Sequence, residues 1–280
     1  MTVKIVTDST CDLPDEIVKE LDITVLPCNI HFAGRHYLDG VDITTGEFYE
    51  RLETAMPYPT SAAPSLGSFT NAYRSLIEKG ASAVLSIHVS SKLASTYNTA
   101  IIAAKSVASS LIKPFDSGQL SLGTGLIVEA AATAGKAGKT VDAIVDQITQ
   151  LSKRTYAFAA ADTLKYLRRS GRVPQIVAGV GTILQIRPIL HIHLGHIGLD
   201  LSRTSRQAMA RLLTTIRNLG PLEQVSIVHT NAIDKAETLA EAISQAFPQL
   251  HVNHLVDVSP AIGVHFGPGA VGFVAVKSAS

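Results

Sequence analysis

The chain reads as an α/β protein of two α/β domains, the first with a largely parallel sheet flanked by helices. Three observations lead there. Short β-branched runs end in hydroxyl-rich turns that open helices at least three times in the first half. At 280 residues there is chain enough for two modest domains, each with a core of its own. From Asp162 the character changes, with an apolar hairpin and a further series of strands and helices ending in glycine-rich chain. A boundary near Ser152 divides the sequence into 1–152 and 153–280, with a ligand tunnel between or beside the two.

The first strand, 3–6, runs into Thr7-Asp8-Ser9-Thr10-Cys11-Asp12-Leu13-Pro14. Pro14 suits the first turn of a helix, and Asp15 and Glu16 favour its positive end. One strand is expected over 23–32, turned by Ala33-Gly34 into a partner at 36–39. Thr44 or Thr45 opens a helix to Arg51, and Pro57 and Pro59 mark a loop. Thr60 to Gly67 is read as a hydroxyl-rich turn before a helix over 69–79. The alternating run 84–89 is a buried strand, broken by Ser90 and Ser91 and followed by a small-residue helix from Ser95-Thr96. Residues 112–115 form the next strand, ending at Asp116-Ser117, and helices cover 122–137 and 141–151. A strand over 155–159 completes this half of the reading.

The second domain is expected to hold a helix over 164–172, ended at Gly171, and an apolar helix to about Leu184. A hairpin over 187–201 turns at Gly195-His196. Helices at 206–219 and 235–246 alternate with strands at 225–229 and 251–256, and 261–272 leads into a last strand at 273–276. In an open parallel sheet the ligand crevice lies at the carboxyl ends of the strands. Ser61, Ser91, Ser95 and Ser117 are expected on that edge.

Composition excludes several classes. Hydrophobic residues make up 46% and aromatic ones only 5%, so the core is Ala, Val, Ile and Leu. No apolar run reaches membrane-spanning length, and the N-terminus reads as a strand rather than a signal peptide. A net charge of +1 argues against a broad nucleic-acid surface. Cys11 and Cys28 have neither metal nor redox spacing, so a cytoplasmic protein is expected.

Gly267-Pro-Gly269-Ala-Val-Gly272 fits the dinucleotide fingerprint formally, but a strand follows it where a helix is required. Walker, Gly-x-Ser-x-Gly and His-Glu-x-x-His motifs are absent. His191 and His193 fall on one face of a strand, with His196 nearby, but neither cysteine nor carboxylate other than Asp200 joins them, so no metal is expected. Ser95 and Thr96 open a helix where backbone N–H groups and the dipole suit a phosphate or a carboxylate. The plainer reading is a helix cap. His265 beside the glycine-rich stretch is either a donor to an anion or a core histidine.

Seven segments occur in an order that resembles the DegV family: 7–14, Asp42-Ile-Thr44, Ser61-Ala-Ala-Pro64 with Gly67-Ser-Phe69, Ser90-Ser-Lys-Leu93 with Thr96-Tyr97, Asp116-Ser117, 167–173 and 267–272. The resemblance spans almost the whole chain. It implies a two-domain α/β protein that binds one long-chain fatty acid and has no catalytic centre or cofactor of its own. It also implies a partner, a dihydroxyacetone-kinase-like ATP-binding subunit that makes the acyl-phosphate. Carried over by motif, Ser61 (Thr60 with a one-residue shift) and His265 hold the carboxylate, and Arg172 supports docking of the kinase. The family's next carboxylate ligand, a serine, is replaced by Ala94, leaving Ser95 and Thr96 as the neighbouring hydroxyls. The competing class is a serine hydrolase acting on acyl esters through Ser61 or Ser95 with His265. A third is a purely regulatory or structural partner protein.

Overall fold

The computed structural model describes residues 2–107, 110–171 and 186–279. Strands β1 (Val3–Asp8), β2 (Thr24–Leu26), β6 (Ala83–His88) and β7 (Ile112–Asp116) form a wholly parallel sheet in the order β2-β1-β6-β7. Strands β3 (Asn29–Phe32), β4 (Arg35–Leu38) and β5 (Thr60–Ala62) form a small antiparallel sheet in the order β4-β3-β5. The third sheet is mixed and six-stranded. It orders β10 (His196–Ser202), β9 (Arg187–His193), β8 (Thr155–Ala160), β13 (Val271–Lys277), β11 (Leu222–His229) and β12 (Val252–Asp257).

Helices α1 (Asp15–Glu20), α2 (Thr45–Leu52), α3 (Leu66–Glu78), α4 (Thr96–Val107), α5 (Leu122–Lys136) and α6 (Val141–Arg154) belong to the first half. Helices α7 (Lys165–Arg169), α8 (Ser205–Leu219), α9 (Ile233–Ala246) and α10 (Pro260–Phe266) follow. Local chemistry accounts for several starts. Thr44 and Glu47 form a reciprocal capping box on α2, and Ser65, Thr140 and Thr204 each accept from a first-turn N–H of the helix they precede.

Four expectations need correction. The strand over 23–32 is two strands in different sheets, because Pro27 has no N–H to continue the β1–β2 ladder. Ser61 lies on β5 of the antiparallel sheet, not in a turn at the edge of the parallel one. The second hairpin turns at Leu194-Gly195, which hold the two positive φ angles, 48° and 72°, that a two-residue loop requires. Residues 260–266, expected only to lead into the last strand, are helical, so His265 sits on α10 just before the glycine-rich stretch. The helix expected over 164–172 is α7, and the apolar helix after it and Arg172 lie outside the described residues.

Helix α5 ties the halves together. Its Leu126, Ile127, Val128 and Ala131 share one apolar cluster with Ile5 and Leu85 of the parallel sheet and with Val228 and Val274 of the mixed sheet. The small side chains on α5 allow this close approach from both sides. A second cluster packs α8 and α9 on the opposite face of the mixed sheet. Among the described residues no helix is long and apolar enough to cross a membrane.

The parallel sheet also holds a buried polar chain that the sequence did not announce. Tyr73 donates to Ser86 Oγ at 2.7 Å, Ser86 Oγ lies 2.7 Å from His88 Nε2, and His88 Nδ1 lies 2.7 Å from Asp8 Oδ2. The connectivity is that of an Asp-His-Ser triad. Asp8, Ser86 and His88 are fully buried, so the chain holds β1 against β6 and is closed to substrate.

Candidate functional site

Position along β5 decides which hydroxyl faces inward. Ser61 pairs with buried Ile30 and Thr60 with exposed His31, and alternate residues of a strand point to opposite faces. Ser61 therefore points beneath α10, while Thr60 faces solvent. Ser61 Oγ lies 3.2 Å from Nε2 of His265.

Four side chains of the first half hold or meet α10 and its approach. Tyr49 donates to the Val258 carbonyl at 3.1 Å, and Tyr58 donates to the Val264 carbonyl at 2.7 Å. The Ser259 N–H donates to Asp12 Oδ1 at 3.0 Å, and Ser61 meets His265 itself. Burial raises the Asp12 carboxyl to about 7 against the opposing pull of Ser121 and Ser259 donors. Burial likewise raises Asp39 to about 6, and Ser9, which donates to it at 2.7 Å, opposes the shift.

Beside the Ser61–His265 pair opens a cavity of about 660 Å³, within the usual size of a small-molecule site. Ser61, Ser95, Thr96 and His265 line it, as do Thr10 and Ala94, and Thr60 does not. Thr96 is buried and Ser95 is exposed at the start of α4, where the Ser95 carbonyl accepts the Thr99 N–H at 3.0 Å. Asp8 fixes Thr10 by accepting from its N–H and its hydroxyl. Ser91 and Ser117 are not on the wall. Ser91 donates to Asp116 at 2.5 Å, and Ser117 is buried 3.0 Å from the Thr124 hydroxyl.

A narrower pocket of about 50 Å³ adjoins the first, and Leu120, Leu190, Ile192, Ile262 and Phe266 are walls of both. Its floor is apolar, formed by Ala157, Ala159, Val228 and Val274 of the mixed sheet. The larger cavity has a simple charge inventory: among the described residues its walls carry Lys92, His196 and His265 and no carboxylate. Such a lining accepts an anion at one end and hydrocarbon at the other.

The strand histidines are otherwise engaged. His193 stacks on Tyr156 at 4.0 Å with its Nδ1 2.9 Å from the Thr155 carbonyl, and His191 packs edge-on against Phe158. No group of three or more His, Cys, Asp or Glu among the described residues is placed to hold a metal.

Comparison with known proteins agrees with this architecture. A family model described as "Uncharacterised protein, DegV family" matches residues 2–278. The chain belongs to the DegV family. A DegV domain-containing protein of Listeria innocua is 32% identical over 275 residues, 96% of each chain. A DegV family protein from Thermus thermophilus, described by its fatty acid binding, has a TM-score of 0.90 at 28% identity, over 99% of this chain and 100% of that one. DegV of Bacillus subtilis, a fatty acid binding protein, has a TM-score of 0.87 at 28% identity and the same coverage. The DegV resemblance and the mixed α/β fold expected from the sequence both stand.

Sequence reading missed the supports of the site: Tyr49, Tyr58, Asp12 and Asp39 around α10, and Lys92 with His196 on the rim. Asp12 falls within the 7–14 segment and Asp39 follows Leu38, but nothing in their spacing points to α10.

Proposed function

We propose that this protein binds a long-chain fatty acid, with its carboxylate at the polar end of the larger cavity and its alkyl chain along the shared apolar walls. The observation that carries the reading is the wall itself: Ser61 and His265 in contact, Ser95 and Thr96 nearby, no carboxylate among the described lining residues, and an apolar pocket beyond. The fatty acid binding of the Thermus and Bacillus relatives supports it. Each buried methylene contributes about 0.8 kcal/mol, so a long chain supplies most of the affinity and the hydroxyls and imidazole set its direction.

Ser61 and Thr96 donate hydroxyl hydrogens to the carboxylate, and His265 donates through Nε2 once the ligand takes the place of the Ser61 contact. Ala94 lies on the wall with no hydroxyl to offer, and exposed Ser95 supplies the next one along the chain. The protein acts as a carrier without a catalytic centre. It presents the head group to an ATP-binding kinase subunit for acyl-phosphate formation, with Arg172 at the docking surface. This last step rests on the family resemblance alone.

Mass spectrometry of the purified protein after denaturation tests the reading. A stoichiometric fatty acid is the expected result. A protein free of lipid that no added fatty acid stabilises against heat would overturn it. A second reading, an acyl-ester hydrolase, draws on the Ser61–His265 separation of 3.2 Å, which is within nucleophile–base reach. Ester turnover abolished in Ser61→Ala would favour that reading over the carrier.

A further inference from the structure

The rim of the larger cavity carries a cation with no carboxylate partner among the described residues. Lys92 sits in the turn between β6 and α4, and its Nζ donates to the Leu194 carbonyl at 3.3 Å and to Nε2 of His196 at 3.0 Å. Both partners belong to the tip of the β9–β10 hairpin, so the ammonium spans from the first half of the chain to the second. The tip is also seated by contacts other than that of the ammonium. The Gly195 N–H donates to the Gly118 carbonyl at 2.6 Å, and a Cβ on Gly195 would lie 2.4 Å from Ser90 Oγ and 3.0 Å from Lys92 Cδ.

Lys92 is exposed, yet it lines the same cavity as Ser61, Ser95 and His265. An exposed lysine ordinarily sweeps through many rotamers. Here the Leu194 carbonyl and His196 Nε2 hold it on the rim, and no carboxylate among the described residues pairs with it. Among the described wall residues it is the one lysine, and neither an arginine nor a carboxylate joins it.

We propose that Lys92, clasped by the hairpin tip, is a specificity-determining residue that selects ionised head groups over neutral lipids of the same chain length. The assignment rests on the fatty-acid reading above and adds the head-group class. Hydroxyls and an imidazole can hydrogen-bond an alcohol or an ester as well as an acid, whereas a fixed ammonium adds an attraction that only the anion feels. The charge also draws fatty acid anions toward the mouth, an effect that added salt weakens.

Equilibrium dialysis with labelled palmitate and hexadecanol tests it on the full chain, delipidated, as wild type, Lys92→Gln and Lys92→Arg. The wild type is expected to favour palmitate. Lys92→Gln should lower palmitate affinity roughly five- to tenfold while hexadecanol binding stays unchanged. Lys92→Arg should keep most of the preference, and salt should weaken palmitate binding more in the wild type than in Lys92→Gln. A palmitate-to-hexadecanol ratio in Lys92→Gln equal to the wild type's overturns the assignment, whether both affinities fall together or neither moves. A wild type that retains neither ligand overturns the fatty-acid reading itself, which separates the two failures.

Discussion

The Tyr49 hydroxyl occupies the space a side chain on Gly263 would need: a Cβ there would stand 2.5 Å from Oη and 2.8 Å from Cζ. The same hydroxyl donates to the Val258 carbonyl, so Gly263 and Tyr49 together seat α10 against α2. Gly263→Ala is expected to cost about 1–3 kcal/mol through overpacking, measured by urea unfolding. Adding Tyr49→Phe removes the nearest atom and should recover part of that loss. A double variant no more stable than the sum of the single ones would show that the ring, rather than the hydroxyl, sets the limit.

The head-group contacts give the second prediction. Ser61→Ala should weaken fatty acid binding by about 1.5–3 kcal/mol, the range of a hydrogen bond to a charged group, and leave thermal stability close to wild type. Dialysis and a melting curve on the same preparation check both halves.

Ala94 offers the opposite experiment. It lies on the cavity wall at the position where the family pattern has a serine. Ala94→Ser should tighten fatty acid binding by about 1 kcal/mol if the new hydroxyl reaches the carboxylate. Unchanged affinity would mean that Ser95 or Thr96 already fills that role.

Asp12 makes folding stability depend on pH. Its carboxyl rises from an ordinary 3.8 to about 7 in the fold, so between those values the folded chain holds more protons than the unfolded one. Stability contributed by the protonated form is complete below pH 4 and is lost as pH rises toward 7, with a slope of at most about 1.4 kcal/mol per pH unit. Asp39, raised to about 6, adds a loss of the same sign that ends earlier. Asp12→Asn should flatten this part of the profile in urea unfolding from pH 4 to pH 8. A slope equal to wild type's would place the titration elsewhere.

The buried Asp8–His88 pair predicts a structural defect. His88→Leu leaves the Asp8 carboxylate without its imidazole in a fully buried position, and a loss of about 3–5 kcal/mol is expected by chemical denaturation.

Much of this architecture was legible in the chain. An alternating β-branched run gave β6 and a short apolar run gave β7, and the hydroxyl turns after them gave the starts of α4 and α5, because both signals lie within a few residues of one another. The single strand expected over 23–32 failed where Pro27 interrupts it, since pattern alone does not tell which sheet each side of a break will join. Ser61 and Thr60 are adjacent hydroxyls, and the motif match moves from the first to the second with a shift of one residue. Only the pairing of Ser61 with Ile30 turns one inward and the other out.

By itself the sequence determined the α/β alternation, the apolar aliphatic core, the DegV pattern and the short list of hydroxyls and histidines from which the site is drawn. The tertiary structure decided which of them meet. Ser61 and His265 are 204 residues apart, Tyr49 and Val258 are 209 apart, and Lys92 and His196 are 104 apart. Hydrophobic periodicity reports only the face an element turns to the core. Contacts of this range depend on how α5 and α10 join the sheets, a packing outcome that no local pattern encodes.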